Sequence, residues 1–219
     1  METRPKGLSF AIDSEPVRCL HLRDHRLARL IDLVGDVAVD LRGTPFSALV
    51  RSIVGQQLSG KAAASIWARL QSVCGEVSPA GLERLDDDAL RAAGLSGPKV
   101  AYLRDLTSRT MSGDLHLETL PSMSDEQLTQ CLTAVHGIGA WTAQMFMIFC
   151  LGRQDVFAPK DLGLRSAMKW LYSLPALPSE KESVPIAETW RPYRTIASLY
   201  LWEAVTRKLT QSGGTLVPG

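Results

Sequence analysis

The segment VHGIGAWTAQMF, residues 135–146, places two glycines around one isoleucine immediately before a helical pattern. Another helical pattern ends near Val135, so the chain has to turn within residues 136–139. Glycine reaches backbone torsions that other residues avoid and leaves amides that a phosphate can approach, while Ile138 can pack between the helices. The helix that begins at Gly139 directs its first amides and the positive end of its dipole toward the same place. The pattern predicts a helix-hairpin-helix that grips a nucleic-acid backbone, with a ligand-free corner between two helices as the alternative.

Helical spacing of apolar residues recurs along the chain, and the sequence has no convincing run of alternating strand residues. These patterns predict an all-α fold. The first clear helix covers residues 46–54 and is followed by a polar elbow, GQQLSGK, and a second helix over 60–73. Further helices are expected over 79–94, 97–111, 125–135 and 139–150, from 161 onward, and over 191–209. The stretch LPALPSEKESVP, residues 174–185, is interpreted as a polar loop bounded by prolines.

The composition is that of an ordinary globular protein, since 45% of the 219 residues are hydrophobic and 21% are charged. The N-terminal segment METRPKGLSFAIDSEP lacks the apolar stretch of a signal peptide. No apolar run approaches the roughly 20 residues that a membrane helix needs. We therefore expect a soluble intracellular protein with no membrane partner. The formal net charge of +1 neither supports nor excludes DNA, because backbone binding depends on a local patch.

The four cysteines, Cys19, Cys74, Cys131 and Cys150, lie far apart in the sequence. They form no CxxC pair and have no His-x-x-x-His partner, so the spacing supports neither a zinc site nor an iron–sulfur cluster. We interpret them as buried, reduced thiols of a cytosolic or nuclear protein.

Five blocks occur in a fixed order: GQQLS, GLSGPKVAYLRDL, HGIGAWTAQMF, DVFAPKDLGLR and WRPYRTIASLYLW. Together they resemble the helix-hairpin-helix (HhH-GPD) DNA glycosylases, specifically the 3-methyladenine DNA glycosylase II branch of AlkA and Mag type. The resemblance covers about residues 40–208. It implies a single glycosylase unit over 1–219 with two helical lobes and the active-site cleft between them. One lobe would span about 40–150 and contain the hairpin at 136–139, and the other would combine the N-terminal segment with about 151–210, without an N-terminal β domain.

The resemblance implies that Asp161 is the catalytic carboxylate and that Trp141 and Trp202 line the base pocket. Cleavage of an N-glycosidic bond builds positive charge on the sugar, which a fixed carboxylate stabilises while it orients or deprotonates a water. The indole faces would favour a cationic base by cation–π attraction. Taken alone, Asp161 is also explained as a plain helix N-cap, and each tryptophan is also explained as a core aromatic residue.

The resemblance also implies a set of DNA-binding residues. Such an enzyme flips its target nucleotide and fills the gap with a wedge residue, which falls here on Gln57 or Leu58 in the elbow; glutamines that only cap helix ends are the alternative. A second helix start, with Gly97 and Lys99, suits another backbone contact, although Lys99 reads equally well as a surface lysine. The hairpin residues expected to meet DNA are His136, which replaces the proline usual in the family, and Gly137, Ile138 and Gly139.

The family's hairpin binds a monovalent cation through backbone carbonyls. The resemblance places these carbonyls on Thr133, Val135 and Ile138 and so implies Na⁺ or K⁺ in a structural role. It implies no cofactor for catalysis.

The implied activity is removal of alkylated bases such as 3-methyladenine and 7-methylguanine from double-stranded DNA by a monomer, in the bacterial cytoplasm or the nucleus. Bifunctional relatives carry a nucleophilic lysine at the position of Trp141, so no lyase step is expected. A non-catalytic module that binds damaged DNA and a glycosylase for oxidised bases are the alternatives.

Overall fold

Helices make up nearly all the regular structure, as the apolar spacing predicts. The computed structural model describes residues 7–41 and 43–211. Their elements, in chain order, are β1 (Leu8–Phe10), α1 (Glu15–Arg23), α2 (His25–Val34), β2 (Val37–Val39), α3 (Pro45–Gly55), α4 (Gly60–Cys74), α5 (Pro79–Glu83), α6 (Asp87–Ala92), α7 (Gly97–Ser112), a 3-10 turn (Leu120–Ser122), α8 (Asp125–Thr133), α9 (Ala140–Phe149), α10 (Leu162–Leu171), α11 (Glu180–Glu188), α12 (Arg194–Thr206) and a second 3-10 turn (Leu209–Gln211).

The elements divide between two units. One unit is discontinuous in sequence and consists of residues 1–41 and 152–219, and the other is continuous over residues 42–151. The discontinuous unit therefore holds α1, α2, the two strands and α10 to α12. The continuous unit holds α3 to α9. Each unit has buried apolar residues of its own.

Helix α12 is the centre of the discontinuous unit. All residues from 195 to 201 are buried, so this helix has no solvent-facing stripe over two turns. α2 and α10 pack against it. α2 contributes an apolar face of Leu27, Leu30, Ile31 and Val34, whose spacing matches one side of a helix.

A short antiparallel ribbon joins the two strands of the discontinuous unit, and the sequence analysis did not anticipate it. Leu8 pairs with Val39, and Phe10 pairs with Val37. Val37 and Val39 are buried while Ala38 is exposed, which is the alternation of a strand. Three residues are too few to make that alternation stand out in a sequence, and the all-α class is otherwise confirmed.

The continuous unit is organised around α3, which contacts α4, α7 and α9. The sequence predicts that five apolar residues of this segment share one face, and all are buried: Phe46, Leu49, Val50, Ile53 and Val54. α9 is more uniformly buried, with Thr142, Ala143 and the run from 145 to 148 inside. The hairpin helix is thus anchored in the core of its unit.

Several predicted helix boundaries were wrong. The stretch 79–94 contains two helices because the Asp86 carboxylate accepts a hydrogen bond from the Ala89 amide at 2.7 Å and caps a new helix. The last helix is α12, shorter at each end than the predicted 191–209. The helix before the hairpin ends at Thr133 rather than at Val135.

The predicted loop at 174–185 was also wrong, since α11 begins within it. Ser179 and Glu182 form a capping box, in which the Ser179 amide donates to the Glu182 carboxylate at 2.8 Å and the Glu182 amide donates to the Ser179 hydroxyl. Pro185 lies inside this helix and removes one amide donor. The cap and the burial of Ala187 hold the helix despite that loss.

The four cysteines are free thiols, but only Cys74 is buried, and the other three are half-buried. Burial raises the pKa of the Cys74 and Cys131 thiols, which keeps them protonated near neutral pH. Over residues 7–41 and 43–211, each helix is too short or too polar to cross a membrane.

A partly buried polar cluster links the first and last parts of the discontinuous unit. The Tyr172 hydroxyl donates to the Asp24 carboxylate, and the Trp190 indole N–H lies 3.3 Å from the same carboxylate and 3.2 Å from the Tyr172 oxygen. Asp24 also caps α2 by accepting from the amides of Arg26 and Leu27. Burial, and next the Asp24 charge, raise the pKa of Tyr172, so the phenol remains a neutral donor.

We expect Tyr172→Phe to lower the free energy of unfolding by about 2 kcal/mol, because the half-buried Asp24 carboxylate loses a donor. Tyr193→Phe is the matched control, since that hydroxyl only reaches the exposed Glu15 carboxylate at 3.4 Å. It should change stability by less than about 0.5 kcal/mol. Urea unfolding followed by tryptophan fluorescence measures both, and equal effects would contradict the assigned role of the cluster.

Candidate functional site

The hairpin between α8 and α9 has the shape that its glycines predict. Gly137 has a φ of +83°, in the left-handed region that favours glycine. A Cβ atom at this position would overlap the ring of Tyr102 on α7. Ile138 is 4% exposed and packs inward. Torsion and close approach therefore each require glycine at position 137.

Helix α7 also holds the residue before this glycine. The His136 amide donates to the Asp105 carboxylate at 2.7 Å, and Arg109 donates to the same carboxylate at 3.0 Å. Partial burial opposes ionisation of Asp105, but the His136 and Arg109 donors outweigh it, and the pKa of Asp105 lies below its ordinary value. The His136 ring is exposed and meets the Tyr102 ring edge-on, with centroids 4.7 Å apart.

Gly139 differs from Gly137 because nothing inside the described protein requires it. It caps α9 with φ −98° and ψ 173°, torsions open to any residue. An added Cβ would have no described atom within 4 Å, and the same is true at Gly97, where α7 begins. Ser96, the N-cap of α7, makes no side-chain capping hydrogen bond. These two helix starts can therefore receive an anion that approaches the backbone closely.

The elbow between α3 and α4 carries the two wedge candidates. Gln57 is exposed and has a φ of +56°, which is uncommon for a residue other than glycine. Leu58 is 38% exposed. The elbow thus presents a polar and an apolar side chain to solvent.

Gln56 is a functional candidate that the sequence analysis missed. Its side-chain amide donates to the Gly137 carbonyl at 2.8 Å and so ties the elbow to the hairpin. The two residues are 81 positions apart, and only tertiary structure brings them together. Of the adjacent glutamines, Gln56 points inward and Gln57 is exposed.

Lys99, expected to contact a DNA phosphate, has partners inside its own unit. Its ammonium donates to the carbonyls of Val54 and Gln56, each at 2.8 Å. Desolvation lowers the pKa of this half-buried amine. Positive charge at the carbonyl end of a helix is favourable, so Lys99 caps the end of α3.

The carbonyls assigned to a cation lie around the start of the hairpin. Thr133 is the last residue of α8, and the Val135 carbonyl accepts a hydrogen bond from the Ile138 amide at 3.1 Å. Carbonyls in the last turn of a helix have no partner within that helix. In the described part of the chain, no cluster of three or more His, Cys, Asp or Glu side chains could hold a metal ion.

Asp161 combines a local and a tertiary interaction in the discontinuous unit. It is the N-cap of α10, and its Oδ1 atom accepts a hydrogen bond from the Leu164 amide at 2.9 Å. The Trp202 indole N–H, from α12, reaches the same oxygen at 3.2 Å. Two donors on one oxygen hold the carboxylate in one orientation. A carboxylate held in this way can stabilise positive charge that develops beside it.

Gly163 keeps space beside this carboxylate. A Cβ there would stand 3.1 Å from the Asp161 Oδ1 atom and 3.8 Å from the Trp202 ring. Gly163 was not among the predicted site residues, although a glycine within the first turn of a helix is a signal for close packing.

The two tryptophans assigned to the base pocket belong to different units. Trp202 lies on α12, is half-buried, and touches Asp161 as described. Trp141 is the second residue of α9 in the continuous unit, and its side chain is 37% exposed. Neither tryptophan is fully buried, and Trp141 is the more exposed of the two.

Substitutions at the two hairpin glycines distinguish the role of Gly137 in the shape of the hairpin from the expected role of Gly139 in DNA binding. Gly137→Ala should lower the free energy of unfolding by about 2 kcal/mol, through left-handed strain and overlap with Tyr102. Gly139→Ala should cost less than about 1 kcal/mol but weaken the affinity for duplex DNA about tenfold, since its methyl group blocks the approach of a phosphate. Urea unfolding and fluorescence anisotropy with a labelled duplex test this. Unchanged DNA affinity in Gly139→Ala would contradict the interface.

Known proteins are similar to this chain in sequence. The sequence profile of the HhH-GPD superfamily of base excision DNA repair proteins matches residues 50–192. DNA-3-methyladenine glycosylase 1 of Schizosaccharomyces pombe is 33% identical over 187 residues, which are 82% of each chain. A putative DNA-3-methyladenine glycosylase of Bacillus subtilis is 29% identical over 197 residues, covering 84% of this chain and 69% of that protein.

Solved structures agree in fold. The crystal structure of a DNA-3-methyladenine glycosidase from Bacillus halodurans superposes with a TM-score of 0.86 at 38% identity, over 95% of this chain and 97% of that one. The S. pombe 3-methyladenine DNA glycosylase in complex with abasic DNA gives 0.79 at 32% identity, over 88% and 97%. With the glycine hairpin and the capped aspartate in the matched region, this chain belongs to the HhH-GPD superfamily of base excision DNA repair proteins, in its 3-methyladenine DNA glycosylase branch.

Proposed function

We propose that this protein excises alkylated bases, among them 3-methyladenine and 7-methylguanine, from duplex DNA by hydrolysis of the N-glycosidic bond. The observation that carries the proposal is the Asp161 carboxylate, held by the Leu164 amide and the Trp202 indole at the start of α10. A module that only binds DNA has no use for a fixed carboxylate, which repels phosphates. The relatives named above, described as acting on 3-methyladenine, support the substrate class.

In the proposed reaction, the carboxylate stabilises the positive charge that builds on the sugar as the base departs. The same group orients or deprotonates the attacking water. Its position does not change as charge develops, because the Leu164 and Trp202 donors already hold it. Alkylated purines of this kind are cationic and leave readily, so the reaction needs a strong grip on the base more than a strong general acid.

In this proposal, the indole rings of Trp141 and Trp202 bind the alkylated base. A tryptophan face attracts a cation more strongly than a neutral ring, which favours alkylated over normal bases. Trp202 contributes from beside the carboxylate, and Trp141 is 37% exposed on α9. To reach them, the target nucleotide leaves the duplex, and Gln57 or Leu58 fills the gap.

The DNA backbone binds to the hairpin and to the start of α7. Residues 136–139 form the hairpin, and Gly97 and Gly139 leave room for a phosphate at the starts of α7 and α9. A monovalent cation, Na⁺ or K⁺, would bind the carbonyls of Thr133, Val135 and Ile138. Neutral carbonyl oxygens at a helix end suit such a hard cation, and the Val135 carbonyl retains a second lone pair beside the Ile138 amide.

Asp161→Asn tests the catalytic assignment. The amide keeps an oxygen for the Leu164 and Trp202 donors but lacks the charge, so we expect single-turnover excision to fall at least about 100-fold. Binding to a duplex with an abasic-site analogue should stay within about threefold of the wild-type value. Methylated duplex DNA is the substrate, and chromatography identifies the released bases.

Lys160→Ala is the matched control, because Lys160 is the exposed neighbour of Asp161 and should leave excision unchanged. Excision by Asp161→Asn at the wild-type rate would refute the role of the carboxylate. If the wild-type protein binds DNA but releases no base, the chain is a non-catalytic binding module. Release of 8-oxoguanine from oxidised DNA instead would identify a glycosylase for oxidised bases.

We also propose that the protein lacks lyase activity, since Trp141 stands where bifunctional relatives carry a nucleophilic lysine. Borohydride reduction during turnover should trap no covalent protein–DNA adduct, and alkali should be needed to break the strand after excision. A bifunctional glycosylase serves as the positive control. A trapped adduct that persists in Lys160→Ala would show that another amine forms a Schiff base.

A further inference from the structure

We propose that Lys99 is a positioning residue that holds the elbow at residues 55–59 and the hairpin at residues 136–139 in a fixed arrangement, and that it does not bind a DNA phosphate. The inference rests on the proposed function in one respect, namely that these two turns are the ones that grip DNA. It changes the role that the sequence resemblance implies for Lys99.

The first link joins α7 to the elbow. The Lys99 ammonium donates to the Val54 and Gln56 carbonyls at 2.8 Å each. Both carbonyls lie where α3 ends, and helix amides cannot satisfy the carbonyls of a last turn. An ammonium has three donors, and two of them are used here. Its charge is thus directed at the elbow backbone.

The second link joins the elbow to the hairpin. The residue whose carbonyl binds Lys99 is Gln56, and its side-chain amide donates to the Gly137 carbonyl at 2.8 Å. Lys99 therefore acts on the hairpin through one intermediate residue. Without the ammonium, the Gln56 backbone loses the contact that directs its side chain toward Gly137.

The third link returns from the hairpin to α7. Tyr102 and Asp105 follow Lys99 at intervals of three, so all three share one side of the helix. The Tyr102 ring lies against Gly137, and the Asp105 carboxylate accepts from the His136 amide at 2.7 Å. One helix face contacts both turns, and Gln56 connects the turns directly. The three links form a closed circuit within the continuous unit.

A closed circuit matters for DNA binding because the duplex sets the distance between the gripped phosphates and the gap left by the flipped base. If the two turns are already held at that spacing before DNA binds, less conformational entropy is lost on binding than if the turns move independently. We therefore expect loss of Lys99 to weaken binding at a flipped or abasic nucleotide through disorder of the turns, without removal of a phosphate contact.

Salt dependence separates the two roles of Lys99. A lysine that binds a phosphate contributes about 0.9 to the slope of log affinity against log salt concentration, and its removal lowers the slope by that amount. For Lys99→Met, we expect about tenfold weaker binding to an abasic-analogue duplex with a slope within about 0.3 of wild type. Lys181→Met, which removes one exposed lysine from α11, is the matched control for charge and should leave the affinity unchanged.

Hydrogen exchange measured by mass spectrometry on the DNA-free protein provides a readout that does not depend on catalysis. Lys99→Met should speed exchange in the hairpin peptide as well as in the elbow, although Lys99 itself bonds to the elbow carbonyls. Gln56→Ala keeps the lysine and removes only the link to Gly137, so it should speed exchange in the hairpin in the same way. The second variant keeps the proposal testable if Lys99→Met does not fold.

The double variant completes the test. If the residues act in one circuit, Lys99→Met and Gln56→Ala together should weaken binding by much less than the product of their separate effects. A slope lower by about 0.9 in Lys99→Met, or unchanged hairpin exchange in Gln56→Ala, would overturn the positioning role. If wild-type protein excises no alkylated base while these binding and exchange results hold, the proposed function fails and the circuit stands.

Discussion

The contact between Gly137 and the Tyr102 ring determines the shape of the hairpin between α8 and α9, on which the proposed DNA contact depends. The glycine adopts left-handed torsions and leaves no room for a side chain. With the backbone pressed against the ring, the His136 amide meets Asp105 and the Gly137 carbonyl meets Gln56. Ile138 is then buried between the helices. One close approach thus sets the direction of the amides at the start of α9.

At Asp161, one carboxylate oxygen has a role in the fold and a role in the proposed chemistry. As an N-cap it accepts the Leu164 amide and begins α10. The Trp202 indole adds a donor from α12, the central helix of its unit. A fixed charge stabilises a transition state effectively when it is already ordered, and the helix cap supplies that order for the proposed catalytic role. The interpretation as a helix cap and the catalytic interpretation are therefore compatible.

Local signals in the sequence predicted much of the helical structure. The face of α3 follows helical spacing over residues 46–54, and the capping box of α8 and the cap of α10 each join residues three positions apart. α11 was missed although its capping box is equally local, because Pro185 dominated the interpretation of that segment. The two-stranded ribbon could not have been predicted by pattern, since its pairs lie about thirty residues apart and span three residues each.

The sequence by itself determined where several helices begin, among them α3, α4, α7 and α8, that the chain turns sharply at residues 136–139, and that Asp161 starts a helix. These features depend on torsional preference and on hydrogen bonds between near neighbours, which the order of residues specifies. Tertiary structure alone decided that Gln56, and not Gln57, binds the hairpin, that Lys99 caps α3, and that Trp202 reaches a carboxylate 41 residues away. Such contacts depend on how helices pack. A polar side chain can bind either water or a distant carbonyl group, and the residues next to it in the sequence do not indicate which.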